Sequence, residues 1–172
     1  VCAVDLAGNE AGFPNLKFKS LFDRARELCV PYTIHAGEAD GPESVRTALD
    51  MGAYRIGHGV RSIEDAELVS IIADKKIALE LCPTSNIHTM ILGDISEYPI
   101  RQFLKAGVAV TVNSDNRSVS ATTARQEMLL LKNTFALTDE EEKALLHSSV
   151  DAAFASEALK KKLHERVEES FS

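Results

Sequence analysis

The chain has 172 residues, of which 45% are hydrophobic and 26% charged, and its net charge at pH 7 is −7. This is ordinary composition for a soluble globular protein, and the acidic balance argues against a nucleic-acid or membrane partner. No apolar run approaches the roughly 20 residues of a transmembrane helix, and no signal peptide is visible, so we expect a cytoplasmic protein. The three widely spaced cysteines indicate reduced thiols rather than a disulfide framework or a cysteine zinc site.

The first residues, Val-Cys-Ala-Val-Asp, lie directly inside an apolar run typical of a strand, and no methionine precedes them. We therefore expect the chain to come from the interior of a longer protein. Composition is even along residues 1–172, without a linker, low-complexity tract or repeat, which predicts a single domain.

Five β-prone runs alternate with helical patterns along the chain. Strands are predicted at 1–6, 32–34, 54–60, 77–81 and 108–112. Helices are predicted at about 16–29, 41–50, 62–72, 98–106, 121–135, 139–147, 150–155 and 157–170. Asn15 and Thr138 are expected to cap the helices that follow them, and Ser62 with Asp65 forms a near-capping box.

Strands and helices that alternate at this spacing predict an α/β fold with parallel strands and right-handed crossovers. Two architectures remain, a doubly wound open sheet and part of an eight-stranded (β/α) barrel. The chain has no GxGxxG fingerprint and no P-loop, which disfavours a nucleotide-binding open sheet. Candidate functional side chains follow every predicted strand, and barrels build their sites at the carboxyl ends of several strands.

The residues at these strand ends suit metal-assisted hydrolysis. His35 and Asp115 are nitrogen and oxygen ligands that fit a zinc ion, although a catalytic zinc site usually has at least three protein ligands. Glu38 is a plausible proton shuttle, and His58 could stabilise a hydroxide formed beside the metal. Asp115 could both bind the metal and accept a proton from the attacking water.

Five motifs occur at these strand ends in a fixed order. They are DLAGNE at 5–10, HAGE at 35–38, IGHG at 56–59, CPTSN at 82–86 and NSDN at 113–116. Together they resemble the C-terminal part of the adenosine deaminase family, zinc enzymes of the amidohydrolase superfamily that fold as a TIM-type (β/α)₈ barrel. The resemblance covers essentially all 172 residues and implies a partial barrel, with only the last five strands and the C-terminal helices.

The resemblance implies a role for each site residue and a Zn²⁺ cofactor. His35 and Asp115 would be metal ligands, and Glu38 would donate a proton to the ring nitrogen beside the attacked carbon. His58 would stabilise the attacking hydroxide, which makes Glu38, His58 and Asp115 the catalytic residues. The backbone N–H of Gly8 would contact a second ring nitrogen of the substrate. The implied reaction converts adenosine, a small-molecule purine nucleoside, to inosine and ammonia.

Two departures from the family pattern affect these expectations. The family's other two zinc ligands form an HxH pair, which this chain lacks; its remaining histidines, His88, His147 and His164, fall on a predicted loop and two helices. Many relatives have a second aspartate where this chain has Asn116. An asparagine amide can donate to the purine N7 acceptor, so Asn116 is compatible with substrate binding. With asparagine at this position, the sequence distinguishes less clearly between adenine, adenosine and modified adenosines as substrates.

Three hypotheses follow for the chain. The leading one is a parent zinc-dependent deaminase, with the 172-residue chain alone binding zinc weakly and having no useful turnover. A second is a non-catalytic half-barrel that self-associates through its uncovered edges. A third is an open α/β binder of small molecules without metal, which the motifs disfavour. Within the site, Asp5, Ser85 and Asn86 are expected to brace loops.

Overall fold

The computed structural model of the protein describes residues 1–171. Five short strands form one parallel sheet in sequence order: β1 Val4–Leu6, β2 Tyr32–Ala36, β3 Arg55–His58, β4 Ala78–Leu81 and β5 Val110–Val112. The parallel α/β prediction is therefore confirmed, with all five strands close to their predicted places. The unbroken strand order shows no reversal within the described chain. A doubly wound sheet would reverse at its switch point, whereas an arc of a barrel would not.

Helices connect the strands and follow the last one. They are α1 Lys19–Glu27, α2 Pro42–Asp50, α3 Ala66–Lys75, α4 Pro83–His88, α5 Ile100–Lys105, α6 Arg117–Ser120, α7 Ala124–Phe135, α8 Asp139–Ala152 and α9 Glu157–Ser170. Short 3-10 turns cover Asn15–Phe18, Val60–Glu64 and Ile95–Glu97. Within residues 1–171, none of the helices has the length and apolarity that crossing a membrane requires.

Two predicted caps are wrong. Asn15 is buried, and its amide donates to the Ser44 hydroxyl across 3.1 Å instead of capping α1, which begins only at Lys19. Ser62 lies inside a 3-10 turn, and Asp65 alone caps α3 by accepting the backbone N–H of Leu68. The Asn15 amide thus serves a tertiary contact, whereas the Ser62 hydroxyl is buried without a hydrogen-bond partner among residues 1–171.

Two more boundaries differ from the prediction. The helices predicted at 139–147 and 150–155 are one helix, α8, because the Ser149 hydroxyl donates to the Leu145 carbonyl and does not interrupt the helix. Residues 83–88 form α4, where an irregular segment was expected. Thr138 caps α8 as predicted, with Glu141 completing a capping box.

The sheet has one apolar and one polar face, because successive strand residues point to opposite sides. One row of neighbours across the sheet is wholly buried in the core: Ile34, Ile56, Leu79 and Val110. The adjacent row is His35, Gly57, Glu80 and Thr111. Helices cover the apolar face with buried residues such as Val45, Leu68, Leu131 and Leu145. The polar row is therefore available for a site.

Candidate active site

His35 stands near the end of β2 on the polar face of the sheet. Its ring meets the His58 ring edge-to-face, with 5.0 Å between centroids. Gly57 is its partner in register on β3, and a Cβ there would lie 2.4 Å from the Cδ2 atom of His35. A glycine is therefore required beside this histidine, and the IGHG motif supplies it.

His58 and Asp115 both have left-handed backbone conformations, with φ of 58° and 51°. This conformation is uncommon for residues other than glycine, and it is often found where function demands a particular side-chain direction. The Ser85 hydroxyl donates to Oδ2 of Asp115 across 2.7 Å, which fixes the orientation of the carboxylate. Ser85 therefore braces the site, as expected.

Two cavities meet at His35. A cavity of about 310 Å³ is lined by His35, His58 and Asp115, together with Cys82 and neighbouring residues. A second cavity of about 180 Å³ is lined by Gly8, the rest of the DLAGNE loop and again His35. Residues predicted from four of the five strand ends thus line the first of these cavities, and Gly8 from the fifth lines the second.

Glu38 faces His58, with 3.5 Å between Oε1 of the carboxyl and Nδ1 of the ring. Burial raises the pKa of Glu38, and the negative charges of Asp115 and Glu10 raise it further. Interactions with His35 and Thr89 lower it in part. A carboxyl whose pKa is raised keeps its proton to higher pH, which suits a proton donor.

His58 is almost fully buried, with 2% of its surface exposed. Burial lowers its pKa to about 4, and the nearby His35 contributes in the same direction. The ring is therefore neutral at physiological pH, and one nitrogen carries a proton while the other accepts a hydrogen bond.

Asn86 links these two groups. Its Nδ2 atom lies 3.1 Å from Nδ1 of His58 and 3.3 Å from Oε1 of Glu38. Its Oδ1 atom accepts a hydrogen bond from the Tyr98 hydroxyl at 2.9 Å. The loop-bracing role expected for Asn86 is thus only part of what its contacts indicate.

Asn116 and Cys82 lie at the margin of this arrangement. Asn116 is exposed and caps α6, where Oδ1 accepts the backbone N–H groups of Ser118 and Val119. Within residues 1–171 no hydrogen bond joins Asn116 to Glu38 or His58. Burial raises the pKa of the Cys82 thiol, and its Sγ donates to the Glu80 carbonyl, which disfavours a thiolate nucleophile.

Two buried carboxylates that the sequence analysis did not select hold the site loops. Glu10 accepts the backbone N–H groups of four consecutive residues, 37–40, at 2.7 to 3.1 Å, and also the Ser44 hydroxyl. Glu127 accepts the N–H and hydroxyl of Thr84. Glu127 occupies the apolar stripe of α7 one turn before Leu131, and an acid in such a stripe is a signal that could have identified it.

The donor atoms present fit part of a zinc site. An imidazole and a carboxylate are both zinc ligands, and His35 and Asp115 line the same cavity. Among residues 1–171, no three or more His, Cys, Asp or Glu side chains converge as a metal cage. His147 and His164 hydrogen-bond to each other on α8 and α9, and His88 is exposed at the end of α4.

The adenosine deaminase family model matches residues 1–170. The chain belongs to the adenosine deaminase family. An adenosine deaminase from Haemophilus ducreyi is 46% identical over 171 residues, which are 99% of this chain and 50% of that protein. The resemblance inferred from the five motifs is confirmed.

Solved structures extend the comparison to the fold. An adenine deaminase from Arthrobacter aurescens is 29% identical with a TM-score of 0.96, and the match covers 99% of this chain and 53% of that one. An amidohydrolase from Burkholderia ambifaria, solved with bound Zn, shares the fold at a TM-score of 0.91 and 22% identity, over 99% of this chain and 48% of that one. The chain thus spans about half the length of its relatives. Its five strands correspond to half of a TIM-type amidohydrolase barrel.

Proposed function

We propose that the whole protein carrying this chain is a zinc-dependent hydrolase that converts adenosine to inosine and ammonia. The observation that carries the proposal is the contact of Glu38 with His58 beside the cavity lined by His35 and Asp115. A proton donor, a neutral imidazole and two metal-ligand types are the groups that hydrolytic deamination of a purine needs. The 46% sequence identity to an adenosine deaminase supports adenosine as the substrate.

His35 and Asp115 would hold the zinc ion, with the remaining ligands supplied from outside residues 1–171. When bound, zinc supplies a water of lowered pKa and a fixed position for it. This role needs donor atoms that line the same cavity, which His35 and Asp115 do.

Protonated Glu38 would donate to the purine ring nitrogen next to the amino-bearing carbon, which makes that carbon more electrophilic. His58 would donate a hydrogen bond to the attacking oxygen and stabilise the charge that develops there. Asp115 would accept a proton of the water and return it to the departing amino group, so that ammonia leaves, and the proton of the added hydroxyl would return to Glu38. The raised pKa of Glu38 and the neutral state of His58 both support these roles.

Gly8 and Asn116 would position the purine. Gly8 has φ of 120°, and no atom lies within 4 Å of where its Cβ would be, so the backbone there is open to a flat ligand. The cap on α6 uses the Oδ1 atom of Asn116, which leaves its amide N–H groups to donate to an acceptor such as N7.

The test is an absorbance assay of adenosine with the whole purified protein and its Glu38→Gln variant. We expect turnover in the wild type, loss of about 10²-fold or more in kcat for Glu38→Gln, and loss and recovery of activity with chelator and zinc. Glu165→Gln, on the exposed surface of α9, is the matched control. Adenosine turnover that survives both Glu38→Gln and metal removal would refute the proposal.

A second candidate substrate is adenine, which the high structural similarity to an adenine deaminase favours. The same assay with adenine distinguishes the two, because the larger kcat/KM identifies the substrate. Modified adenosines, left open by Asn116, are compared in the same series.

A further inference from the structure

Asn86 occupies a fully buried position between the two groups that would handle protons. Its exposed fraction is 0%, and those of its neighbours Tyr98 and His58 are 1% and 2%. Water therefore cannot replace a missing partner for any of these three side chains. The hydrogen-bonding pattern must be satisfied by the side chains themselves.

The Tyr98 hydroxyl determines which way the Asn86 amide faces. The hydroxyl has one proton to donate, and Oδ1 of Asn86 accepts it at 2.9 Å. If the amide were reversed, its nitrogen, which is a donor, would face the proton of the Tyr98 hydroxyl. The buried hydroxyl would also lose its acceptor, which is costly. The amide nitrogen therefore points towards Glu38 and His58.

The two hydrogens of the amide nitrogen then serve two acceptors. One is directed at Nδ1 of His58, at 3.1 Å, and the other at Oε1 of Glu38, at 3.3 Å. Nδ1 must be the unprotonated ring nitrogen, which leaves the proton of a neutral ring on Nε2.

We propose that Asn86, held by Tyr98, is a positioning residue that sets the tautomer of His58 and orients the Glu38 carboxyl. It places the His58 proton on Nε2 and donates to Oε1 of Glu38. The importance of this for turnover rests on the function proposed above. The tautomer of His58, by contrast, is a property of the folded protein and can be measured without substrate.

The first experiment reads the His58 tautomer by ¹⁵N NMR of histidine-labelled protein. The experiment uses the whole protein, and the signal that disappears in His58→Gln identifies this histidine. We expect the Nε2–H tautomer in the wild type and in the control Asn133→Asp, which makes the same chemical change on the exposed face of α7. Asn86→Asp replaces the donor with an acceptor, so the proton is expected on Nδ1. A wild-type ring protonated on Nδ1 would overturn the proposal.

The second experiment compares kcat and KM in the whole protein. Asn86→Asp is expected to lower kcat by about 10²-fold to 10⁴-fold with little change in KM. Losses of this size occur in other enzymes when a catalytic histidine is held in the wrong tautomer. Tyr98→Phe removes a single oxygen and is expected to lower kcat about tenfold, and it provides the test if Asn86→Asp does not fold. If a folded Asn86 or Tyr98 variant has a kcat within twofold of that of the Asn133→Asp control, the positioning role is contradicted. If the wild type deaminates neither adenosine nor adenine, the proposed function fails while the tautomer result stands.

Discussion

At the scale of single residues, the HAGE loop depends on the buried carboxylate of Glu10. Glu10→Gln should destabilise the protein by about 2 to 3 kcal/mol, because a neutral amide weakens the charge-assisted hydrogen bonds and turns an N–H towards a buried donor. Urea unfolding measures the change in free energy, and amide hydrogen exchange should accelerate at residues 37–40. Equal stability of Glu10→Gln and the exposed control Glu165→Gln would show that the loop does not need this carboxylate.

Because His58 is buried, we expect the stability of the zinc-free protein to depend on pH. Its pKa is 6.5 in the unfolded chain and about 4 when folded, so between these values the unfolded state binds more protons. The free energy of unfolding should therefore rise with pH across this window, by about 3 kcal/mol at most from this group. Glu38 has the opposite effect on the free energy of unfolding. Its raised pKa stabilises the folded state at low pH, and this contribution is lost as pH rises through the folded-state pKa.

The measurement that isolates His58 is the difference between wild type and His58→Gln in urea unfolding at pH 4 to 6.5. The variant should lose the rise with pH that belongs to this group. His88→Gln, at an exposed position, should keep the wild-type slope. Parallel curves for all three proteins would contradict the burial-driven shift.

At the scale of elements, α8 is the clearest case of a helix whose start is encoded locally. The Thr138 side chain accepts the N–H of Glu141, and the Glu141 carboxylate accepts the N–H of Thr138. Thr138→Ala should therefore cost about 1 kcal/mol and lower Tm by a few degrees in thermal unfolding. Thr134→Ala, on the exposed face of α7, should change Tm little. A cost no larger than that of Thr134→Ala would mean that packing of α8, and not its cap, stabilises this helix.

The connections after the strands hold the site, and long-range contacts set their conformations. Glu127 on α7 anchors the first turn of α4 through Thr84, 43 residues earlier in the chain. Glu10 anchors the loop between β2 and α2 in the same way. Each site loop is therefore held by an element distant in sequence.

At the scale of the whole molecule, β1 is an open edge of the sheet. Within residues 1–171 it pairs only with β2, and Val4 on it is 40% exposed. Large apolar side chains on the adjoining residues are also exposed: Phe13, Leu16, Leu21 and Leu28. Such an edge favours pairing with another chain or with the missing half of the barrel.

The 172-residue chain alone is predicted to bind zinc weakly and to self-associate. With His35 and Asp115 as its only proposed ligands, its zinc affinity should be lower than that of the whole protein by about 10²-fold or more. Isothermal titration calorimetry measures the affinity, and size-exclusion chromatography measures the association. His35→Ala should abolish the residual zinc binding, whereas His88→Ala should not. A compact monomer that deaminates adenosine would contradict the prediction.

Much of the fold could be predicted from the sequence, because its signals are local. Five β-prone runs that alternate with helical patterns predicted the strands and their parallel arrangement, and motifs at the strand ends indicated the family. His35, His58 and Asp115 were selected because a strand end is a position that the chain itself marks. The structure then placed these three side chains around one cavity.

The remaining features were decided only by the tertiary structure. Glu10, Tyr98 and Glu127 carry no local signal of the site residues that they contact, which are Gly37, Asn86 and Thr84 and lie 12 to 43 residues away in the chain. The same holds for Asn86, whose bond to His58 spans 28 residues. A sequence motif marks which groups handle protons. Which of their atoms hold the protons depends on buried hydrogen bonds, and those form only when distant segments pack together.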